Sequence, residues 1–261
     1  MLFRSWKKSE QLGEKNYSII VHGKHSHEET RATFSRSELN APSLVIRDLD
    51  EAKILCDIIL EKIPVKRFNE LFAGKYSAGF DPETDLDRLG VINQTTMLAS
   101  ETQAIADLIR RTLILKFGEK NSKEHYADTR DTLCYATNEN QEATYGLLRE
   151  KADLAIVVGG YNSSNTSHIV ELCEAKLPTF FISSAAEIGS KNEISHFDLH
   201  KQERISSKKF LPDKQPLTII LTSGASCPDS MVDEVLQKIV SFYPAVKKIG
   251  DAMKEFERGL K

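Results

Sequence analysis

The densest run of ionisable side chains in the sequence is His22-Gly23-Lys24-His25-Ser26-His27-Glu28-Glu29. His27 and Glu29 stand two residues apart at what looks like a strand end. At that spacing an imidazole can bind a ligand hydroxyl while the carboxyl group delivers a proton. The run also half-matches the H-x-H-x-D-H pattern of zinc hydrolases through His25, His27 and Glu29. Thr30 follows, however, and is a poor zinc ligand. A solvated, capped helix start is the third reading. All three stay open at this level.

Other loops carry small polar side chains in the same kind of place. INQ runs into TTMLAS, VVGG into YNSSNTS, and ILTSG into ASCPDS, which sets Gln94, Thr95, Ser163, Ser164, Asn165 and Ser226 just past apolar runs. Gly lets the backbone turn tightly there, and Asn, Ser and Asp offer hydroxyls, amides and caps beside outward-pointing N–H groups. One such loop is explained by plain N-capping. Several on matching strand ends favour an anion site.

Cys56, Cys134, Cys173 and Cys227 lie far apart and form no C-x-x-C pair. That spacing argues against a disulfide framework and against a self-contained zinc or ferredoxin-type site. Cys56 shares a helical stripe with Ala52, Leu55 and Ile59, and Cys173 sits beside Ile169 and Leu172, so both are expected to be core thiols. Cys134, in DTLCYATNENQ, precedes a helix whose start would favour thiolate, which makes it the candidate ligand or nucleophile. Cys227, after Ser226, fits a small loop residue.

The elements that must position these groups follow from periodicity. Short runs rich in Ile, Val and Leu occupy 17–23, 43–49, 89–95, 153–160, 178–184 and 217–223. Helical spacing opens near His27 and covers 50–62, 100–117, 164–175 and 228–242. Apolar strands alternating with helices predict an α/β fold: two similar domains of mostly parallel sheets covered on both faces. The polar stretch 119–132 marks the boundary, giving domains 1–127 and 128–244. Residues 191–215 are polar too and are expected to form a long excursion before the last strand. Val246, Ile249, Met253, Phe256 and Leu260 place an apolar stripe on a charged helix over 245–261. No fixed-period repeat is evident.

The chain has 261 residues, 35 Lys+Arg against 38 Asp+Glu, and a net charge of -3. That balance argues against nonspecific nucleic-acid binding, which needs a concentrated basic face. No apolar run approaches the roughly 20 residues that span a bilayer. MLFRSWKKSEQ lacks a secretory apolar region, so the expected location is the cytoplasm.

TLCYATNENQEA, VVGGYNSSNTSH, VINQTTML, HGKHSHEET and TSGASCPD together resemble the 4-hydroxy-3-methylbut-2-enyl diphosphate reductase family, in its longer plant and cyanobacterial form. The resemblance runs from about residue 6 to about residue 243. It implies an iron–sulfur oxidoreductase that removes the substrate hydroxyl reductively, ending the methylerythritol phosphate route at isopentenyl and dimethylallyl diphosphate. It places Glu29 as proton donor, His27 as active-site imidazole, and Thr95, after Gln94, on the substrate hydroxyl. Ser163, Ser164, Asn165 and Ser226 fall on diphosphate-binding positions. Cys134 falls on one of three cysteines that hold a [4Fe–4S] cluster, with ferredoxin or flavodoxin as electron donor. The family has three domains in a trefoil-like arrangement, and this chain matches the second and third. The G-F-C and T-C-P motifs that carry the other two cluster cysteines do not occur in it. The expectation is therefore an N-terminally truncated member, completed by a separately encoded N-terminal domain or else reduced to a diphosphate-binding remnant without a cluster.

Overall fold

The segment Ser18–His22, SIIVH, is buried at every position, so it has no wet face to offer. Such a strand belongs inside a parallel sheet with both faces covered. In the computed structural model, which describes residues 3–94, 96–127, 129, 135–243, 246, 247, 249–252 and 254, it takes that position. Contacts divide the chain into two units, Met1–Gln141 and Glu142–Lys261.

The first unit runs α1 (Phe3–Glu14), β1 (Ser18–His22), α2 (Glu28–Ser37), β2 (Ser43–Ile46), α3 (Leu49–Ile59) and the short α4 (Phe68–Leu71). It continues with β3 (Leu89–Asn93), α5 (Ala99–Phe117), α6 (Ser122–His125), β4 (Tyr126–Ala127) and α7 (Tyr135–Leu147). Among the described residues the strands lie in the order β2-β1-β3-β4, with parallel pairing throughout. Side chains alternate across the sheet as the pleat requires. Ile20, Leu44, Ile46 and Leu89 pack with Leu55, Phe68, Ile105 and Ile109 on one face. Ile19, Val21, Val45 and Ile92 pack with Leu12 on the other. Each such fully buried aliphatic side chain contributes about 1.5–3 kcal/mol, whereas an exposed ion pair such as Arg36–Glu10 contributes about 0–1 kcal/mol. The core therefore sets the fold.

The second unit contains β5 (Leu154–Val158), α8 (Ser164–Glu174), β6 (Thr179–Ile182), β7 (Ile188–Ser190), β8 (Glu193–Asp198), β9 (Glu203–Lys208), β10 (Ile219–Ser223) and α9 (Asp229–Val240). The order β10-β5-β6 is parallel. The α/β class expected from the sequence is the one observed.

Three features depart from the sequence expectation. The excursion 191–215 carries most of an antiparallel sheet, β7-β8-β9. Its strand β9, ERISSK, is mostly exposed and has no apolar alternation to announce it. Helix α1 was not anticipated, because Ser5 and Ser9, both 0% exposed, share its buried face with Leu12. Hydroxyls there replace the usual apolar stripe: Ser9 Oγ lies 3.1 Å from Ser37 Oγ on α2. The division of the chain falls inside α7, C-terminal to the polar stretch 119–132, since β4 pairs with β3 and belongs to the first sheet. Of the expected tail stripe, Met253, Phe256 and Leu260 lie outside the described residues.

Candidate functional site

In each unit the strand order reverses direction between two adjacent parallel strands, β1 and β3 in the first, β5 and β10 in the second. The crevice beyond their carboxyl ends is where open α/β sheets bind ligands. All the candidate loops stand at these places.

In the first unit, His27 is the N-cap of α2, and its Nδ1 accepts from the Glu29 N–H at 3.3 Å. Glu29 is half-buried in the first turn, while Glu28 beside it is exposed. His25 packs edge-on against Phe34. Gln94, 1% exposed, follows β3 directly. Thr30 Oγ1 donates to its Oε1 at 2.6 Å, and its Nε2 donates to Thr96 Oγ1 at 2.7 Å. The amide thus ties the α2 start to the loop after β3. A cavity of about 320 Å³ opens at that strand end, lined in part by Asn93, Ser100, Thr102, Gln103 and Asn138. Thr95 lies outside the described residues.

The second unit repeats this construction. Ser163 is the N-cap of α8, its Oγ accepting from the Thr166 N–H at 3.3 Å. As in the first unit, a Gly stands four residues before the cap and a buried Thr three after it. A Cβ on Gly159 would meet Thr166 Oγ1 at 2.7 Å, and one on Gly224 would meet it at 2.0 Å, so both loops close down on this hydroxyl. Asn165 is 3% exposed, and neither its Oδ1 nor its Nδ2 has a hydrogen-bond partner among the described residues. An unpaired buried amide costs about 1–3 kcal/mol, so its presence at a helix start calls for a ligand. Ser226 is exposed in the turn closed by Cys227 N–H to Gly224 O at 2.9 Å. Helix α9 follows, with no side-chain cap on its first turn. The parallel between the units escaped the sequence reading because the two loops share little beyond that Gly and Thr. The spacing of both from the N-cap is the signal that would have exposed it.

The thiols do not assemble a metal centre. Cys56 is 4% exposed and Cys173 0%, each within an apolar core cluster. Burial pushes the Cys173 thiol up to about 11. Cys227 is half-buried in the loop after β10, and Cys134 lies outside the described residues. Among the described residues no group of three or more His, Cys, Asp or Glu side chains comes together to hold a metal, His25, His27 and Glu29 included. A [4Fe–4S] cluster takes several thiolates at once. The described residues do not fit one.

Fold and loops together define a parallel α/β protein with capped, polar helix starts at its strand ends. A family profile described as LytB protein matches residues 2–240, and the chain belongs to that family. A Thermosynechococcus vestitus protein named 4-hydroxy-3-methylbut-2-enyl diphosphate reductase is 44% identical over 235 residues, 90% of this chain and 57% of its own length. A chloroplastic protein of that name from Botryococcus braunii is 43% identical over 242 residues, 90% of this chain and 47% of its own. The chain therefore spans about half the length of the curated relatives it matches. The solved structure of the Plasmodium falciparum E-1-hydroxy-2-methyl-but-2-enyl-4-diphosphate reductase superposes with a TM-score of 0.57 at 18% identity, covering 100% of this chain and 69% of that one. It bears on the fold alone. Among the described residues no helix is long and apolar enough to cross a membrane.

Proposed function

We propose that this chain supplies the diphosphate-binding and proton-delivering parts of a 4-hydroxy-3-methylbut-2-enyl diphosphate reductase. The observation that carries the reading is Asn165, a buried amide with both polar atoms unpaired, set behind Ser163 and Ser164 at the start of α8. Helix-start N–H groups and hydroxyls hold phosphate oxygens, and the amide donates to one of them. Ser226, ahead of the uncapped α9, adds a further hydroxyl. At the start of α2, Glu29 gives its proton to the departing hydroxyl, which leaves as water. His27 binds that hydroxyl, Thr95 relays the proton, and Gln94 holds the Thr95–Thr96 loop in place.

The overall reaction consumes two electrons and two protons and yields isopentenyl or dimethylallyl diphosphate. Ferredoxin or flavodoxin is the electron donor in this reading, the setting is cytoplasmic, and Cys134 contributes one cluster ligand. The remaining thiolates come from a separate N-terminal domain. The placement of Cys56 and Cys173 in apolar cores favours a second reading, a diphosphate-binding module without a cluster. Calorimetric titration with isopentenyl diphosphate tests what both readings share. The unaltered chain is expected to bind, and Asn165→Ala to bind at least about 10-fold more weakly, the scale of a charge-assisted hydrogen bond. Equal affinity in the two proteins would take the site away from α8.

A further inference from the structure

We propose that Tyr161 is a positioning residue that, through Glu187 and Arg204, sets the conformation of the loop presenting Ser163, Ser164 and Asn165; this rests on the diphosphate reading above. Tyr161 lies inside the turn closed by Ser163 N–H to Gly160 O at 3.0 Å, so its side chain leaves from the loop that ends at the α8 cap. Its hydroxyl reaches both carboxylate oxygens of Glu187, at 2.5 and 2.7 Å. Glu187 ends the short 3-10 turn Ala185–Glu187, after β6. Its side chain is 10% exposed, and it also accepts from the Ser183 N–H at 2.6 Å and pairs with Arg204 at 3.0 Å. Arg204, on β9, stands over the Tyr161 ring at 5.2 Å from its centre. The ring stacks on Phe197 of β8, with centroids 4.7 Å apart.

A nearly buried carboxylate is retained only where donors surround it. Here the donors come from the end of β6, from the β8–β9 hairpin and from the anion loop itself. Burial and the neighbouring Glu187 raise the Tyr161 pKa, which keeps the phenol protonated as a donor. The hydroxyl touches none of the proposed phosphate-binding side chains in the contacts described. Its consequence is order: a loop already held in its binding conformation gives up less entropy when the ligand arrives. This also assigns a purpose to the antiparallel β7-β8-β9 sheet, which contributes Arg204 and Phe197.

Tyr161→Phe separates packing from tethering, because the phenyl ring keeps its place against Phe197 and loses only the hydroxyl. Inorganic pyrophosphate is titrated by calorimetry into the full chain, Tyr161→Phe, Glu187→Gln, Glu187→Ala and Ser164→Ala, with thermal midpoints taken in parallel. Tyr161→Phe is expected to bind about 3- to 10-fold more weakly, the scale of one net hydrogen bond, with a midpoint near that of the unaltered chain. Glu187→Gln, which keeps an acceptor for the phenol, is expected to be milder than Glu187→Ala. Amide exchange at 162–166 is expected to quicken in Tyr161→Phe. If Tyr161→Phe binds as tightly as the unaltered chain while Ser164→Ala fails, the positioning role is overturned and the diphosphate reading stands. If the unaltered chain does not bind pyrophosphate, the diphosphate reading falls and takes the positioning role with it.

Discussion

Glu28 and Glu29 are adjacent acids with different surroundings. Glu29 is half-buried one turn into α2, its N–H held by the His27 cap, and Glu28 points to solvent. Consecutive helical residues face different ways, so one can serve chemistry and the other solvation. In protein made active by fusion or co-expression with the family's N-terminal domain, Glu29→Gln should lower turnover by roughly 10²–10⁴, the usual span for a lost general acid. Glu28→Gln should cost little. Substrate reduction with a chemical electron donor measures both, and a crippled Glu28→Gln would move the acid by one position. The thiols separate in the same way. Cys173 is raised from 9.0 to about 11 by burial, so its neutral form is favoured by folding. That contribution is complete below pH 9.0 and is lost as pH rises through about 11. Native chain treated with iodoacetamide at about pH 8 should leave Cys56 and Cys173 unmodified while Cys227 reacts slowly, burial and Asp229 holding its pKa up. Peptide mass mapping reads this out, and labelled Cys173 in folded protein would contradict the core placement.

Helix starts are the elements that carry the site, and each is held by a threonine. Thr30 of α2 donates to Gln94, and Thr166 of α8 fills the space left by Gly159 and Gly224. Thr166 is β-branched and fully buried, so it cannot swing aside cheaply. Gly224→Ala should therefore destabilise the chain by about 1–3 kcal/mol, the cost of overpacking. Its Cβ would lie 2.0 Å from Thr166 Oγ1 and 3.1 Å from Thr166 Cβ. Adding Thr166→Ala should recover part of the loss by removing the hydroxyl and methyl. Urea denaturation of the single and double variants measures it, and additive losses would show that the two positions do not press on each other.

For the molecule as a whole, the balance lies between family membership and ligand count. The chain belongs to the LytB family and spans about half the length of its curated relatives, yet its described thiols are two core residues and one loop residue. Anaerobic reconstitution with iron and sulfide should leave less than about one iron per chain, because a [4Fe–4S] cluster needs several thiolates at one point. Iron counting with visible absorbance decides it. A full cluster, lost in Cys134→Ser, would show that the chain assembles its own ligand set.

What the sequence by itself determined is what depends on neighbours along the chain. Runs such as SIIVH and LAIVV are apolar at nearly every position, so they announce buried parallel strands. His27 and Ser163 stand just before helical spacing begins, so they announce caps. Cys56 and Cys173 share stripes with Leu and Ile, so their burial is legible too. Only the tertiary structure decided where the polar atoms go. The seat of α1 on Ser5, Ser9 and Ser37, the strands within 191–215, the Thr30–Gln94–Thr96 link and the Tyr161–Glu187 tether join residues far apart in the chain. A serine or glutamine has the same local signature whether it meets water or a buried partner. Periodicity records which face of an element is apolar, and hydrogen-bond partners are chosen when the elements pack.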